Sequence, residues 1–370
     1  MAVLFSGAVL VPAAGAKEPA TPELSLLQAI SLALAHSESV KKAEKEIERT
    51  EEWRNYRGEQ LSYVPTSPPG TAAVEVPWSQ LLMADLEWRM SKKTFTAEQD
   101  RVALDTCKKY WDVLQAQEKL RAAEAALKSA ERALRNARVS YRVGVLTLAG
   151  LIGAEVQYRG AEAALAGARN DLDKAYVALN QAVGLWPEDR PVLTDTVEFE
   201  PLEVADLDYE VTKVLESAPV VWLAQERVTL QKYLEDMMFY TGEYRPYQAR
   251  KIEVEQAELD AQSTREMFEQ ATRSLYYSVK SLEEAYAGAK EAVRVAEENL
   301  RVARLKLEVG MATAADVAAA EKELADAQAG AFELACQHAY MKLAFAKPWA
   351  YLGVSPAPAS GSASGGAVPR

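Results

Sequence analysis

The residues best suited to chemistry are few in this sequence and lie far apart. Its two cysteines, Cys107 and Cys336, stand in no Cys-x-x-Cys or metal-ligand spacing, and its two histidines, His36 and His338, have no adjacent ligand pattern. The sequence also has no glycine-rich phosphate loop and no Ser/His/Asp or Cys/His arrangement within plausible reach. We therefore predict a protein that is not an enzyme and that has no cofactor or metal. We interpret the cysteines as small buried residues.

Composition bounds the class of protein. The chain has 370 residues, of which 49% are hydrophobic, so it can bury a substantial core. Its 42 Lys and Arg residues against 54 Asp and Glu residues give a net charge of -12. Because that charge repels phosphate backbones and no basic stripe with interleaved aromatics offsets it, we expect no nucleic-acid partner.

The first residues resemble the end of a secretory signal. An apolar run over residues 2–11 precedes small residues that end at Ala16, which predicts a signal peptide over residues 1–16 and export of the protein. The positively charged segment expected before such a run is missing, so we expect the true start to lie upstream of Met1. No later segment approaches the roughly 20 apolar residues of a membrane-spanning helix.

The chain contains an internal duplication, which appears when it is shifted by 166 residues. Residues 110–161 and 276–327 then agree at 18 of 52 positions, including Gly144 with Gly310 and Thr147 with Thr313. Within each copy, apolar residues recur at alternating steps of four and three, the period of left-handed coiled coils. This pattern predicts two long antiparallel helical hairpins, with outgoing helices over residues 97–143 and 249–309.

The turns between the paired helices are explicit in the sequence. Gly144 and Gly310 suit the left-handed position that ends a helix, and Thr147 and Thr313 suit the N-cap of the next one. Asp316 can complete a capping box with Thr313, whereas the matching position in the first copy is Gly150. We therefore expect the two turns to be inequivalent.

Shorter segments surround the hairpins. We predict short helices over residues 26–60 and 209–238, and no helix in the proline-rich segment over residues 63–78. The resulting domains are repeat 1 at 24–184, with a reduced strand region at 61–95; a linker at 185–201; repeat 2 at 202–352; and a disordered tail at 353–370.

The tandem order of these motifs resembles the TolC family of outer-membrane efflux proteins. The resemblance rests on the opening segment over residues 24–34 and on the two turn motifs, Tyr141-x-x-Gly144-x-x-Thr147 and Leu307-x-x-Gly310-x-x-Thr313-x-x-Asp316. It implies an all-α fold of long coiled-coil hairpins, arranged as a TolC-like helical barrel of twelve helices in a homotrimer. It also implies a periplasmic adaptor protein and an inner-membrane transporter as partners. The residues implied at the docking and gating end are Tyr141, Gly144, Thr147, Gly310, Thr313 and Asp316.

One feature departs from that family. Its β-barrel needs two strands of about 9 to 11 residues per copy, and neither residues 61–95 nor residues 237–248 provide them. We therefore predict that the β-barrel strands are reduced or absent. We expect an exported protein of the cell envelope, in the periplasm or at the outer membrane, for which outer-membrane insertion is in doubt. Residues 237–248 contain four aromatic residues: Phe239, Tyr240, Tyr244 and Tyr247. They either rest at a membrane interface or pack between helix ends, so membrane contact is left open.

Two functions fit these patterns. The first is a TolC-like efflux or export channel component, for which the small residues on several helix faces argue because they allow a closed ring of helices. The alternative is a non-channel extracytoplasmic coiled-coil scaffold, for which the short strand regions argue.

Overall fold

The structure is a computed structural model that describes residues 23–61, 72–236 and 247–353. The described residues form long helices with only two short strands, which confirms the predicted all-α class. In chain order the elements are β1 (Glu23–Leu24), α1 (Leu26–His36), α2 (Glu38–Glu59), α3 (Ala72–Arg142), α4 (Leu148–Val183), β2 (Val192–Leu193), α5 (Leu207–Ser217), α6 (Pro219–Asp236), α7 (Tyr247–Glu308), α8 (Ala314–Ala346) and α9 (Pro348–Leu352).

The two long hairpins are present as predicted: hairpin 1 is formed by α3 with α4, and hairpin 2 by α7 with α8. Helix α7 begins and ends within two residues of its predicted bounds. Helix α3 is much longer than predicted: it has 71 residues, about 105 Å at 1.5 Å per residue, and it includes Pro77. The expectation of no helix over residues 63–78 is therefore wrong from Ala72 onward, and residues 72–95 of the predicted reduced strand region are helical.

Pro77 is tolerated in α3 because packing compensates for it. It is the sixth residue of the helix, so its missing amide leaves the carbonyl of Ala73 without a helical donor. Beyond it, α3 is held along α2 by side-chain contacts: Arg57 donates to the Gln80 side chain at 2.8 Å, and Arg54 pairs with Asp85 at 2.7 Å. Packing against α2 thus carries the helix past a residue that local propensity treats as a breaker.

Each predicted short helix is broken into two. The first breaks at Ser37, whose side chain accepts a hydrogen bond from the Val40 amide and so caps α2. The second breaks at Ala218, where Pro219 begins α6 because proline suits a first helical position. Ser37 and Ala218 are 181 residues apart, the offset between the two short helical regions, so the break itself is duplicated.

The helices form one layer whose order can be read along its width. Over one half of the molecule α4, α3, α8 and α7 lie side by side, and over the other half α2 packs on α3 while α6 packs on both α3 and α7. Only α3 and α7 run through both halves. Among the described helices, α4 and α7 share no extensive contact, so they form the two edges of the layer.

The middle of the molecule ties these halves together. The predicted linker contains β2, which pairs in parallel with β1 in a contact the sequence did not indicate. The buried hydroxyl of Tyr110 donates to the Leu24 carbonyl at 3.0 Å and accepts from the Asp195 amide at 3.1 Å. The Asp195 carboxylate in turn accepts from the Leu26 amide at 2.7 Å. These bonds hold both strands against α3.

The residues singled out for their chemistry have structural positions. Cys107 and Cys336 are buried in the central core and free, and burial raises the pKa of Cys107 to about 11 and that of Cys336 to about 12. Their interpretation as small buried residues is confirmed. The His36 ring lies where a side chain on Gly184 would be, and Gly184 also has a φ of +82° at the end of α4.

Several sequence predictions fall outside the described residues: the signal peptide at 1–16, the tail beyond Gly353, and the aromatics Phe239, Tyr240 and Tyr244. Tyr247 is described and begins α7, partly exposed. No helix in the described part of the chain combines the length and the apolar character that a bilayer crossing requires.

Candidate functional site at the hairpin ends

The two hairpins turn with the same backbone geometry. Gly144 has a φ of +77° and Gly310 a φ of +75°, so both adopt the left-handed conformation predicted from the sequence. The Val145 amide donates to the Ser140 carbonyl at 2.9 Å, and its counterpart Met311 donates to Lys306 at 2.7 Å. The duplication therefore extends to individual hydrogen bonds of the turns.

The caps that follow are unequal, as predicted. The Thr147 side chain accepts from the Gly150 amide at 3.2 Å, and no reciprocal bond is available from a glycine. Thr313 accepts from the Asp316 amide at 3.3 Å, while the Asp316 carboxylate accepts from the Thr313 amide at 2.7 Å. The Thr313 amide and hydroxyl lower the pKa of Asp316, so the capping box persists at neutral pH.

Polar ties between α3 and α8 place the two turns at the same end of the layer. Lys119 pairs with Glu333 at 3.0 Å and Lys128 with Glu321 at 2.7 Å, and each pair joins residues at similar distances along the chain from the two turn glycines. The hydrogen bond from Lys128 lowers the pKa of Glu321. The ties therefore hold hairpin 1 beside hairpin 2 near their ends.

All six residues predicted for the docking end lie at these turns. Tyr141 is exposed in the last turn of α3, and the other five are the turn glycines, the capping threonines and Asp316. The most exposed apolar side chains of the ends, which the sequence analysis did not single out, adjoin them: Val143 (67% exposed), Val145 (81%), Val309 (69%) and Met311 (77%).

The edges of the layer were not foreseen from the sequence. Within the chain α8 buries one face against α3, where Ala318 is 1% and Trp111 8% exposed. The residues that the duplication matches to them lie open on the two edges: Ile152 on α4 is 51% exposed, and Tyr277 on α7 is 63% exposed. The alignment of the two copies could have matched these exposed residues to the buried ones. Only the packing shows which of the matched faces is covered.

Solved structures share this architecture of duplicated helical hairpins. The outer membrane protein VceC from Vibrio cholerae aligns over 90% of this chain and 96% of its own, with a TM-score of 0.60 and 17% identity. The CmeC outer membrane channel from Campylobacter jejuni aligns over 90% and 86%, with a TM-score of 0.65 and 13% identity. The MtrE outer membrane channel from Neisseria gonorrhoeae aligns over 90% and 89%, with a TM-score of 0.61 and 17% identity. The fold is thus that of outer membrane channel proteins.

Part of the sequence also matches a family model. Residues 85–185, which span most of the first long hairpin, match the profile of the family described as outer membrane efflux protein. A search of curated protein sequences finds no significant match. The predicted resemblance to TolC-like outer-membrane efflux proteins is therefore confirmed, by a family match in the first hairpin and by the fold of the chain.

Proposed function

We propose that this protein is a channel component for efflux or export, in which three copies close into an extracytoplasmic conduit of α-helices. The observation that carries the proposal is the pair of exposed edges of the layer, on α4 and on α7. Each edge repeats, by the duplication, a face that the chain buries internally between α8 and α3. A head-to-tail contact between an α4 edge and an α7 edge leaves the same two edges free until a ring closes.

The duplication also supplies a geometry for the seam between copies. Where α8 packs on α3, Glu321 accepts from Lys128 and lies 3.7 Å from Arg304. The matching residue on α4 is Glu155, which already lies 3.6 Å from Arg138, the counterpart of Arg304. The counterpart of Lys128 is Arg294, on the α7 edge. We infer that Glu155 of one copy pairs with Arg294 of the next.

The small and apolar residues of the two edges fit this seam. On α4 the exposed face carries Leu148 and Ile152, then the small residues Ala163 and Ala166. On α7 it carries Tyr277, Gly288 and Val295, at helical spacings that keep them on one side. Small residues let two helices approach closely while larger ones fill the spaces between them. The seam therefore offers packing as well as an ion pair.

The proposed partners of the conduit are those that the resemblance to TolC-like efflux proteins implies. We propose that the hairpin ends, at Tyr141, Gly144, Thr147, Gly310, Thr313 and Asp316, bind a periplasmic adaptor protein and through it an inner-membrane transporter, in the cell envelope. The exposed apolar side chains beside these turns support a protein contact, because clusters of exposed apolar groups are typical of interaction sites.

The molar mass of the purified protein in solution, measured with and without detergent, tests this function. We expect three times the mass of the purified chain, which is 40.6 kDa for residues 1–370 and less once residues 1–16 are removed. A species that stays monomeric at high concentration in both conditions would contradict the conduit. It would instead support the alternative, an extracytoplasmic coiled-coil scaffold that binds partners by helix packing.

A further inference from the structure

The end of hairpin 1 carries a basic ladder on an acidic protein. Its members follow one another along α3 at steps of three or four residues and therefore share one side of the helix: Lys128, Arg132, Arg135, Arg138 and Arg142. Over residues 128–160 the only acidic residues are Glu131 and Glu155, whereas the whole chain has a net charge of -12. Positive charge is thus concentrated at one end of a negative rod.

The duplication shows that this charge is specific to hairpin 1. The residues of α7 that match the ladder are Arg294, Glu298, Arg301, Arg304 and Glu308. Two positions are therefore reversed in sign, Arg132 against Glu298 and Arg142 against Glu308. The backbone of the two ends is the same and their apolar turn residues are similar, so the turn itself does not require the reversal at Arg142.

Two members of the ladder bond to α8 or the turn before it, and the other three are exposed near the turn of hairpin 1. Lys128 pairs with Glu321, and Arg132 donates to the Ala314 carbonyl at 2.9 Å. Toward the turn, Arg135 is 75% and Arg138 61% exposed, and they make only exposed contacts, with Glu131 at 3.2 Å and with Glu155 at 3.6 Å. Arg142 is exposed in the last turn. Because exposed ion pairs are weak, these three guanidinium groups can exchange them for carboxylates of a partner beside Val143 and Val145.

We propose that the end of hairpin 1 binds an acidic amphipathic helix of a partner protein, and that hairpin 2 does not bind it equally. The inference rests on the proposed docking function of the hairpin ends and adds the charge of the partner. Steps of three and four residues along α3 match carboxylates at the same steps on a facing helix. The apolar face of that helix covers Val143 and Val145, in the manner of helix recognition through spaced anchors.

Charge complementarity also sets how many partners bind. Since only hairpin 1 carries the full ladder, each chain should take one acidic helix and not two. Charged contacts of this kind speed association and set specificity, and salt screens them. An ion pair in the exposed ladder contributes little alone, so the three arginines act together.

The test uses the full chain and two fluorescent synthetic peptides with one apolar helical pattern, flanked in one by Glu and in the other by Lys. We expect the Glu peptide to bind once per chain, more weakly as salt rises, and the Lys peptide not to bind. The double variant Arg135→Glu with Arg142→Glu should weaken the Glu peptide roughly tenfold or more and gain affinity for the Lys peptide. A gain in affinity for the Lys peptide cannot come from a folding defect. The fold should also accept glutamate at Arg142, because the equivalent residue of hairpin 2 is Glu308.

The matched control is Arg301→Glu, which makes the same change as Arg135→Glu at the equivalent position of hairpin 2. It should leave binding of the Glu peptide unchanged. Equal losses in both variants, two peptides per chain, or a preference for the Lys peptide would overturn the proposal. So would stronger binding to vesicles with anionic headgroups than to the Glu peptide. If the protein is a trimer but does not prefer the Glu peptide, only this inference is overturned. If it is a monomer that prefers the Glu peptide, only the proposed conduit is overturned.

Discussion

At the scale of single residues, the stability of the fold depends most clearly on the two turn glycines, Gly144 and Gly310. At φ near +77° and +75° an L-residue is strained even though space is free around both Cα atoms. We expect Gly144→Ala and Gly310→Ala each to lower the free energy of unfolding by about 1 kcal/mol. Denaturant titration followed by circular dichroism measures this.

Gly330 provides the control for these substitutions. It lies within α8, exposed and with nothing near its Cα, and its backbone is helical. Because alanine favours helix over glycine, Gly330→Ala should raise the free energy of unfolding by up to about 1 kcal/mol. A loss at Gly330 as large as that at the turns would show that the turns do not need their left-handed conformation.

His338 is the one buried histidine, and it makes stability depend on pH. The Nε2 atom of His338 lies 3.5 Å from Glu283 Oε1 and makes no hydrogen bond. The imidazole ring packs on the ring of Phe199. Burial lowers the pKa of His338 below 6.5, an effect that the Glu283 carboxylate only partly offsets and to which Lys342 and Lys280 add. Below pH 6.5 His338 is therefore protonated more readily in the unfolded chain than in the folded chain. The free energy of unfolding falls as the pH drops below that value.

The variant His338→Gln isolates this effect, because glutamine does not titrate. Its thermal unfolding midpoint should fall less than that of the wild type between about pH 7.5 and pH 5.5, whatever its absolute value. Burial raises the pKa of Glu283, but hydrogen bonds from Lys280 and the Leu202 amide more than offset this, so Glu283 stays ionised in that window. An identical slope in wild type and variant would rule out His338 as the source.

At the scale of elements, Tyr110 connects α3 to both strands. The variant Tyr110→Phe leaves the Asp195 amide without its acceptor and the Leu24 carbonyl with the Thr194 amide, at 3.2 Å, as its remaining donor. We expect a loss of about 1 to 3 kcal/mol in the free energy of unfolding, which thermal or chemical denaturation measures. The matched control is Tyr276→Phe at the duplicated position, whose ring packs on Phe345 without such a clamp. Equal effects of the two substitutions would refute the role of the Tyr110 hydroxyl.

The elements also show how far sequence reasoning reaches. The hairpins and their turns could be predicted because the heptad spacing, Gly144 and Gly310 act locally. The start of α3 could not, since packing against α2 carries the helix through Pro77. The pairing of β1 with β2 joins residues far apart in the chain and leaves no periodic pattern, so nothing local indicated it.

At the scale of the whole molecule, the candidate site was predictable in part. The inclusion of Tyr141 and the docking role of all six residues came from the resemblance to the TolC family. The turn glycines, the capping threonines and Asp316 follow from residue type and spacing. The open edges do not, because their exposed faces resemble those that α3 and α8 bury, and only the tertiary arrangement distinguishes a covered face from a free one. The basic ladder was readable by comparing the two repeats position by position, a comparison of charge that the search for identical residues passes over.

The closure of the edges between copies is the central claim, and thiol cross-linking tests it most directly. In Glu155→Cys with Arg294→Cys, a short bismaleimide should join neighbouring copies and yield products that end at three chains. The native thiols should stay unreactive, since burial raises the pKa of Cys107 to about 11 and of Cys336 to about 12. The control pair Lys128→Cys with Glu321→Cys, which replaces a contact within the chain, should cross-link without raising the mass. If the control cross-links while the Glu155 and Arg294 variant remains a single chain, the conduit is contradicted.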